Sequence, residues 1–374
     1  MTIRKHPLPG VRKIAVLRAN ALGDYVFTVP ALCALEAAFP EAEIVLLGKA
    51  WHRDFLAARP GPVDRVIVVP KCRGIPLETD RIENPDAVAA FFEAMRAEHF
   101  DIALQMHGGG GNSNPFVSNL GARLTAGLRA EGAPPLDIDI PYVLYHNEVL
   151  RYLEVAAAVG AVPVAVAPEV TVTAADRQAL ARELPALGQP YVVLHPGATD
   201  IRRRWPLEKM AALADVLAAR GVTVCVTGVP AESEAVARVV DGANANIHDL
   251  CGKLSLPGMV ALLESAELVV SNDTGPLHLA RAVGTPTVGI YWMGNVINAG
   301  PVVARAHRYA ISWTTHCPAC GMDCIENDAH VPRDGCRHAE SFVGSVPVDE
   351  VVAHAEALLD LSEMTARLNR SVRA

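Results

Sequence analysis

The chain has 374 residues, more than one ordinary domain of roughly 150 residues holds, so two domains are expected. Its 41 acidic against 33 basic side chains give a formal net charge of −8, which excludes a surface built to coat nucleic acid or anionic lipid and makes any basic site a local one. An apolar fraction of 51%, with glycine and proline spread along the chain and no low-complexity tract, excludes a disordered or fibrous protein.

Taken in chain order, short β-branched runs alternate with Ala/Leu-rich stretches of helical period, the pattern of parallel sheets with crossover helices. Strands are predicted at residues 13–18, 43–47, 65–69 and 101–105, with helices at 25–39, 52–58 and 85–98. Residues 136–145 contain proline and read as irregular, followed by a helix at 148–159 and a connecting stretch at 162–172. A second series opens at Tyr191, with strands at 191–195, 222–227, 247–249, 268–271 and 287–290 and helices at 207–220, 232–240, 256–265 and 277–283. A last helix, 348–361, is placed so that it crosses back to brace the first domain. The expected division is a first domain at 1–170, a second at 171–345 and a C-terminal helix segment at 346–374, with the ligand cleft between two doubly wound halves.

The apolar stretch from Ile14 to Leu17 is cut by Arg18, Asn20 and Asp24, so it is no signal-peptide core, and the run 155–168 is too short to span a bilayer. The expectation is a cytoplasmic protein with no membrane span, peripheral membrane contact being left open. Of eight cysteines, four are scattered singly and four, Cys317, Cys320, Cys324 and Cys336, crowd one segment.

Three strand-to-helix turns carry residues suited to chemistry. At 269–278 a buried strand runs into Asp273, Thr274, Gly275 and then Pro276 at the first turn of a helix; the open amides and the helix dipole there suit an anion, and equally a plain helix cap. At 195–206 the run Arg202-Arg203-Arg204 lies between a strand and a helix, a phosphate clamp or a solvated basic loop. Glu232, past Thr227-Gly228, is placed to accept from ribose hydroxyls or to favour the start of its helix. At 18–25, Asp24 sits where a strand meets a helix, the position of a general base and also of an N-cap. No G-x-G-x-x-G follows the first strand and no Walker motif occurs, which argues against nicotinamide dehydrogenases and P-loop ATPases.

Together these turns resemble glycosyltransferase family 9, the ADP-heptose-dependent heptosyltransferases. The strings that carry the resemblance are Ile14-Ala15-Val16-Leu17-Arg18 with Leu22-Gly23-Asp24, Pro30-Ala31-Leu32, Phe39-Pro40, His195-Pro196-Gly197, Arg204-Trp205-Pro206 and, most specific, Asp273-Thr274-Gly275-Pro276-Leu277-His278. The resemblance implies an α/β protein of GT-B architecture, two Rossmann-like domains facing across a cleft, and an inverting transfer of heptose from ADP-heptose to a hydroxyl acceptor in lipopolysaccharide core or another glycoconjugate. It makes Asp24 the base, puts Thr199 and Arg203 near the diphosphate with Arg204 beside them, Glu232 near the ribose, and Asp273, Thr274, Gly275 and His278 in the donor site. The family usually has lysine where Arg203 stands, so which of the three arginines reaches the phosphates stays open. A transferase using another nucleotide sugar, and a non-catalytic sugar-nucleotide-binding protein, are the alternatives.

The glycine-rich stretch 107–114 is expected to be a loop on the acceptor side, with His107 and Asn112 as its polar candidates; the acceptor is a glycolipid, a protein or a small molecule, and nucleic acid is not a partner. No cofactor is expected for catalysis. The turn Cys317-Pro318-Ala319-Cys320, with Cys336 and either Cys324 or His338 completing the set, has the spacing of a closed tetrahedral thiolate site, so a structural zinc, or iron, is expected in the loop 316–338, a metal-free thiol cluster and disulfides being the alternatives.

Overall fold

A computed structural model describes residues 6–72, 75, 83–188, 190–304, 306–325 and 338–373, with side chains to 362 and at 364. The chain divides into two compact units, Met1–Thr171 and Val172–Ala374. Among the described residues each unit holds one six-stranded parallel sheet. In the first the strands are β1 (Lys13–Leu17), β2 (Glu43–Gly48), β3 (Arg65–Val68), β4 (Ile102–Gln105), β5 (Leu124–Arg129) and β6 (Ile138–Pro141), in the order β3-β2-β1-β4-β5-β6. In the second, β7 (Tyr191–His195), β8 (Thr223–Val226), β9 (His248–Asp249), β10 (Leu268–Asn272), β11 (Thr287–Trp292) and β12 (His307–Ser312) run β12-β11-β10-β7-β8-β9. Helices on both faces bury these sheets, which is why β1, β4, β7 and β10 read as near-continuous apolar runs rather than alternating ones.

Both sheets are doubly wound, and each has a switch point between its two central strands, β1 with β4 and β7 with β10. The loops leaving the carboxyl ends of such a pair diverge, and the crevice they open is where ligands bind in this architecture. Asp24 follows β1, His107 follows β4, the arginine run follows β7 and Asp273 follows β10, so the candidates gather at the two switch points.

Several elements depart from the sequence reading. Residues 136–145, expected to be irregular, include β6, an edge strand ending on Pro141 where no ladder donor is needed. β5 is not evident from the sequence because Leu124–Arg129 has one β-branched residue and carries Gly127; a Cβ there would lie 2.4 Å from the Gln105 Cβ, so close strand packing demands glycine. The edge strand β12 and helices Ser113–Ser118, Ala174–Glu183 and Met293–Ala299 are likewise additions of the structure. The helix after β1 spans Leu22–Ala38, earlier than expected, which puts Asp24 inside its first turn.

The final helix, Val348–Arg373, is expected from the sequence to brace the first domain. Its apolar face, Val351, Ala355, Leu358 and Leu359, instead completes the core of the second unit, and Arg220 pairs with Glu356 at 3.5 Å and Asp360 at 2.5 Å. The spacing of those four side chains is one helical stripe, which needs an apolar partner, and the second unit supplies it. No helix among the described residues is long and apolar enough to cross a membrane.

Candidate functional site

In the first unit, Asp24 is the third residue of its helix and does what a capping side chain does: Oδ2 accepts from the Ala21 amide at 3.0 Å. Its other oxygen accepts from Arg18 Nη2 at 2.7 Å. Arg18 is 2% exposed, donates to the Met106 carbonyl at 2.7 Å and lies over the Tyr152 ring, with Glu148 3.7 Å away. Burial opposes its charge; Tyr152, Asp24 and Glu148 outweigh that and raise its pKa. Asp24 is thus a carboxylate fixed from two sides and still about a third exposed.

The loop after β4 is tied to the sheet through Gln105. Gln105, fully buried, donates to the His107 carbonyl at 3.0 Å, to the Gly108 carbonyl at 3.0 Å and to the Ser113 hydroxyl, and accepts from the Leu128 amide. Gly108 and Gly110 take positive φ, which only this residue type adopts cheaply. His107 Nδ1 accepts from the Ala19 amide at 3.3 Å, tying the loop to the turn that carries Asp24, whereas Asn112 is exposed and caps nothing with its side chain. His52 is a further buried histidine: Nδ1 accepts from the Lys49 amide, the ring stacks on Trp51, and burial pushes its pKa down to about 3.

In the second unit, His195 at the end of β7 is buried, with Nδ1 3.1 Å from the Thr227 hydroxyl and Nε2 3.9 Å from Glu232. Burial lowers its pKa, Glu232 opposing. Glu232 also accepts from the Val229 amide at 3.0 Å, and its carboxylate lies over Gly197, where a Cβ would meet Oε1 at 2.0 Å. The three arginines take three directions. Arg202 makes a fork onto Asp200 at 2.7 to 3.1 Å, and Arg204 donates twice to the Ala198 carbonyl, which braces its own turn. Only Arg203 of the three reaches Asp273, at 3.4 Å. Thr199 is exposed beside them.

Asp273, 4% exposed, is the hub of the second site. Oδ1 lies 3.1 Å from His278 Nε2, and Oδ2 accepts from Asn295 Nδ2 at 2.6 Å as well as facing Arg203. Burial alone would raise its pKa; His278, Arg203 and Asn295 outweigh that and hold it below the ordinary carboxylate range. Thr274 is the N-cap of helix Gly275–Ala282 and uses no side-chain bond to cap it; Pro276 follows, and no intramolecular acceptor is described for the amides of Thr274 and Gly275. Those donors, at the positive end of a helix dipole beside Arg203, suit an anion. Asn272 joins the two turns, accepting from the Trp205 amide at 3.0 Å and donating to the Pro196 carbonyl at 2.7 Å.

In the cysteine segment, Cys317, Cys320 and His338 bring their ligand atoms within 4.8 Å of one another. Cys317 Sγ lies 3.8 Å from His338 Nδ1, and the 317–322 turn is closed by Gly321 N to Cys317 O and Cys317 N to Met322 O. Cys324, like Cys317, is buried against the core of the second unit, where burial raises its pKa, and Cys336 lies outside the described residues. The segment that follows His338 is stitched to the arginine turn through Phe342 N to Arg202 O at 2.8 Å and Ser341 Oγ to Arg204 O at 2.7 Å.

The family model for glycosyltransferase family 9 (heptosyltransferase) matches residues 88–330, more than half of the chain. The chain belongs to glycosyltransferase family 9. Lipopolysaccharide heptosyltransferase 3 of Escherichia coli is 31% identical over 47% of this chain; the match spans 49% of that relative, so the chain covers about half the length of the first curated relatives it matches. Among solved structures, a family 9 glycosyltransferase from Veillonella parvula DSM 2008 has a TM-score of 0.73 at 19% identity, covering 93% of this chain and 97% of that one. The E. coli ADP-heptose lipopolysaccharide heptosyltransferase II has a TM-score of 0.70 at 21% identity, covering 94% and 99%. An iron-containing dodecameric glycosyltransferase of enterotoxigenic E. coli shares the fold at a TM-score of 0.54 and 14% identity, covering 96% and 81%.

For this family 9 chain, the second unit brings together Arg203, Asp273, Thr274, Gly275 and His278 around one carboxylate. It turns Arg204 away from that carboxylate onto a backbone carbonyl. Residues to which the sequence assigned no site role are Arg18 and Gln105 in the first unit and Asn295 and Arg281 in the second. Gln105 ends the buried strand β4 and Arg18 directly follows β1, where a polar side chain beside Val, Ile and Leu is itself a signal. Asn295 and Arg281 carry no local signal, because the fold alone sets their neighbours.

Proposed function

We propose that the chain is an inverting heptosyltransferase that moves a heptose from ADP-heptose to a hydroxyl of a glycoconjugate acceptor such as lipopolysaccharide core. The observation that carries this is the Asp273 cluster: a buried, anionic carboxylate and an arginine at the start of a helix whose first amides are uncommitted, in a chain of this family. In this reading the second unit binds the donor. Arg203, Thr199 and the Thr274 and Gly275 amides meet the diphosphate and the charge that grows on it as the glycosidic bond breaks, and Glu232 accepts from the ribose. The first unit binds the acceptor, whose hydroxyl gives its proton to Asp24 while its oxygen attacks the anomeric carbon; His107 and the loop held by Gln105 line that side. Eight cysteines without the spacing of a disulfide framework support a cytoplasmic site of action.

Incubation with ADP-heptose and truncated lipopolysaccharide acceptors, followed by mass analysis, tests the reading. Heptosylated product is expected. Donor binding without product would favour a sugar-nucleotide-binding protein, and turnover of a different nucleotide sugar would reassign the donor. Gly197→Ala is a second test: the three atoms nearest the new Cβ all belong to the Glu232 carboxylate, the far end of a side chain, so the carboxylate should swing away while the fold survives. ADP affinity by calorimetry should fall roughly tenfold, the loss of about 1.4 kcal/mol, with a melting temperature close to that of the unaltered protein.

The Cys317, Cys320 and His338 donor set suits a soft tetrahedral ion, and we propose a structural zinc or iron with Cys336 or Cys324 as the fourth ligand. The iron of the dodecameric E. coli neighbour supports iron here as much as the thiolates support zinc. Bound there, the ion would cross-link a turn to the segment that holds the arginine run. Elemental analysis of chelator-free preparations should find about one equivalent per chain, lost in the Cys317→Ser, Cys320→Ser double variant. Metal-free protein with every thiol titratable would refute it.

A further inference from the structure

Arg281 lies one turn beyond His278 on the same helix and points its guanidinium back at that imidazole: Nη2 contacts His278 Nδ1 and donates to the Ala299 carbonyl at 2.9 Å. A guanidinium only donates, so the nitrogen it faces must be an acceptor. Nδ1 of His278 is therefore the bare nitrogen, and the ring proton sits on Nε2, the atom 3.1 Å from Asp273 Oδ1. Protonating the ring would set an Nδ1–H against an arginine N–H inside a largely buried cluster, with two positive charges in contact. The other charged or titratable groups facing this cluster are Arg203 from the turn after β7, Asp273 from the end of β10 and Tyr291 from β11, whose hydroxyl burial keeps protonated; Asn295 faces it from helix Met293–Ala299. His307 on β12 is turned to the Thr287 hydroxyl. Asp273 is the sole anion among those groups.

We propose that Arg281 is a positioning residue that locks His278 in the neutral Nε2–H tautomer, so that Asp273 keeps a full carboxylate charge toward the donor across the acidic as well as the neutral range. His278 then holds Nε2 3.1 Å from Asp273 Oδ1 without neutralising it. The consequence for the donor site rests on the heptosyltransferase reading; the tautomer does not.

The experiment uses the full chain labelled with ¹⁵N-histidine, with His278→Gln to assign the resonance. In the unaltered protein His278 should show the Nε2–H tautomer and stay unprotonated well below the ordinary imidazole value of about 6.5. Arg281→Met should release the ring to titrate near that value, and kcat/KM for ADP-heptose should then fall about tenfold per pH unit below it, as for a single ionisation. Arg281→Lys keeps a donor toward Nδ1 and should restore the flat profile. A His278 Nδ1–H tautomer in the unaltered protein, or the same titration with and without Arg281, overturns the proposal. If ADP-heptose proves not to be the substrate, the resonance readout still decides the role of Arg281.

Discussion

Asp24→Asn is expected to lower transfer by roughly 10²- to 10⁴-fold, the usual contribution of a positioned base, while ADP affinity stays within about twofold of normal. The separation follows from placement. Asp24 is fixed in the first unit by Arg18 and the Ala21 amide, and the residues assigned to the nucleotide all belong to the second. Asparagine keeps an acceptor for the Ala21 amide and removes the anion that faces Arg18, which retains Glu148 at 3.7 Å, the Tyr152 ring and the Met106 and Asp24 backbone carbonyls. A stability loss of about 1–3 kcal/mol is the expected side effect, so melting curves must accompany the kinetics. Transfer at near-normal rate in a folded variant would reduce Asp24 to a helix cap.

Arg203→Ala should weaken ADP binding by roughly 10- to 100-fold, the equivalent of 1.4–2.8 kcal/mol for a lost charge-assisted contact. Because the contact is ionic, the salt dependence of ADP affinity should flatten in the variant. Arg202→Ala is the internal control: its guanidinium is committed to Asp200, so its removal should change affinity several-fold less. Asp273→Ala should weaken ADP-heptose binding and also destabilise the second unit, since it strips the partner from Arg203, His278 and Asn295 at once. Equal effects at Arg202 and Arg203 in calorimetry would show that the arginine run acts only as a diffuse positive field.

The alternation of apolar runs with helical stretches determined the two doubly wound halves, because strands buried on both faces must be apolar throughout and such runs are read directly from composition. The same local logic located Asp24, Asp273 and the arginine run, each of which follows a central strand and opens a helix. Elements whose residues are set by neighbours rather than by period escaped it. β5 needs Gly127 because Gln105 packs against it, and β6 tolerates Pro141 because an edge strand has a free side. Function within the arginine run was equally illegible: three adjacent guanidinium groups are equivalent in sequence, and only the positions of Asp200, Asp273 and the Ala198 carbonyl give each a separate direction. Arg281 and Asn295 acquire meaning in the same way. A hydrogen-bond network is a set of distances between residues remote in the chain, and those distances exist only once β10, β11 and their helices have packed.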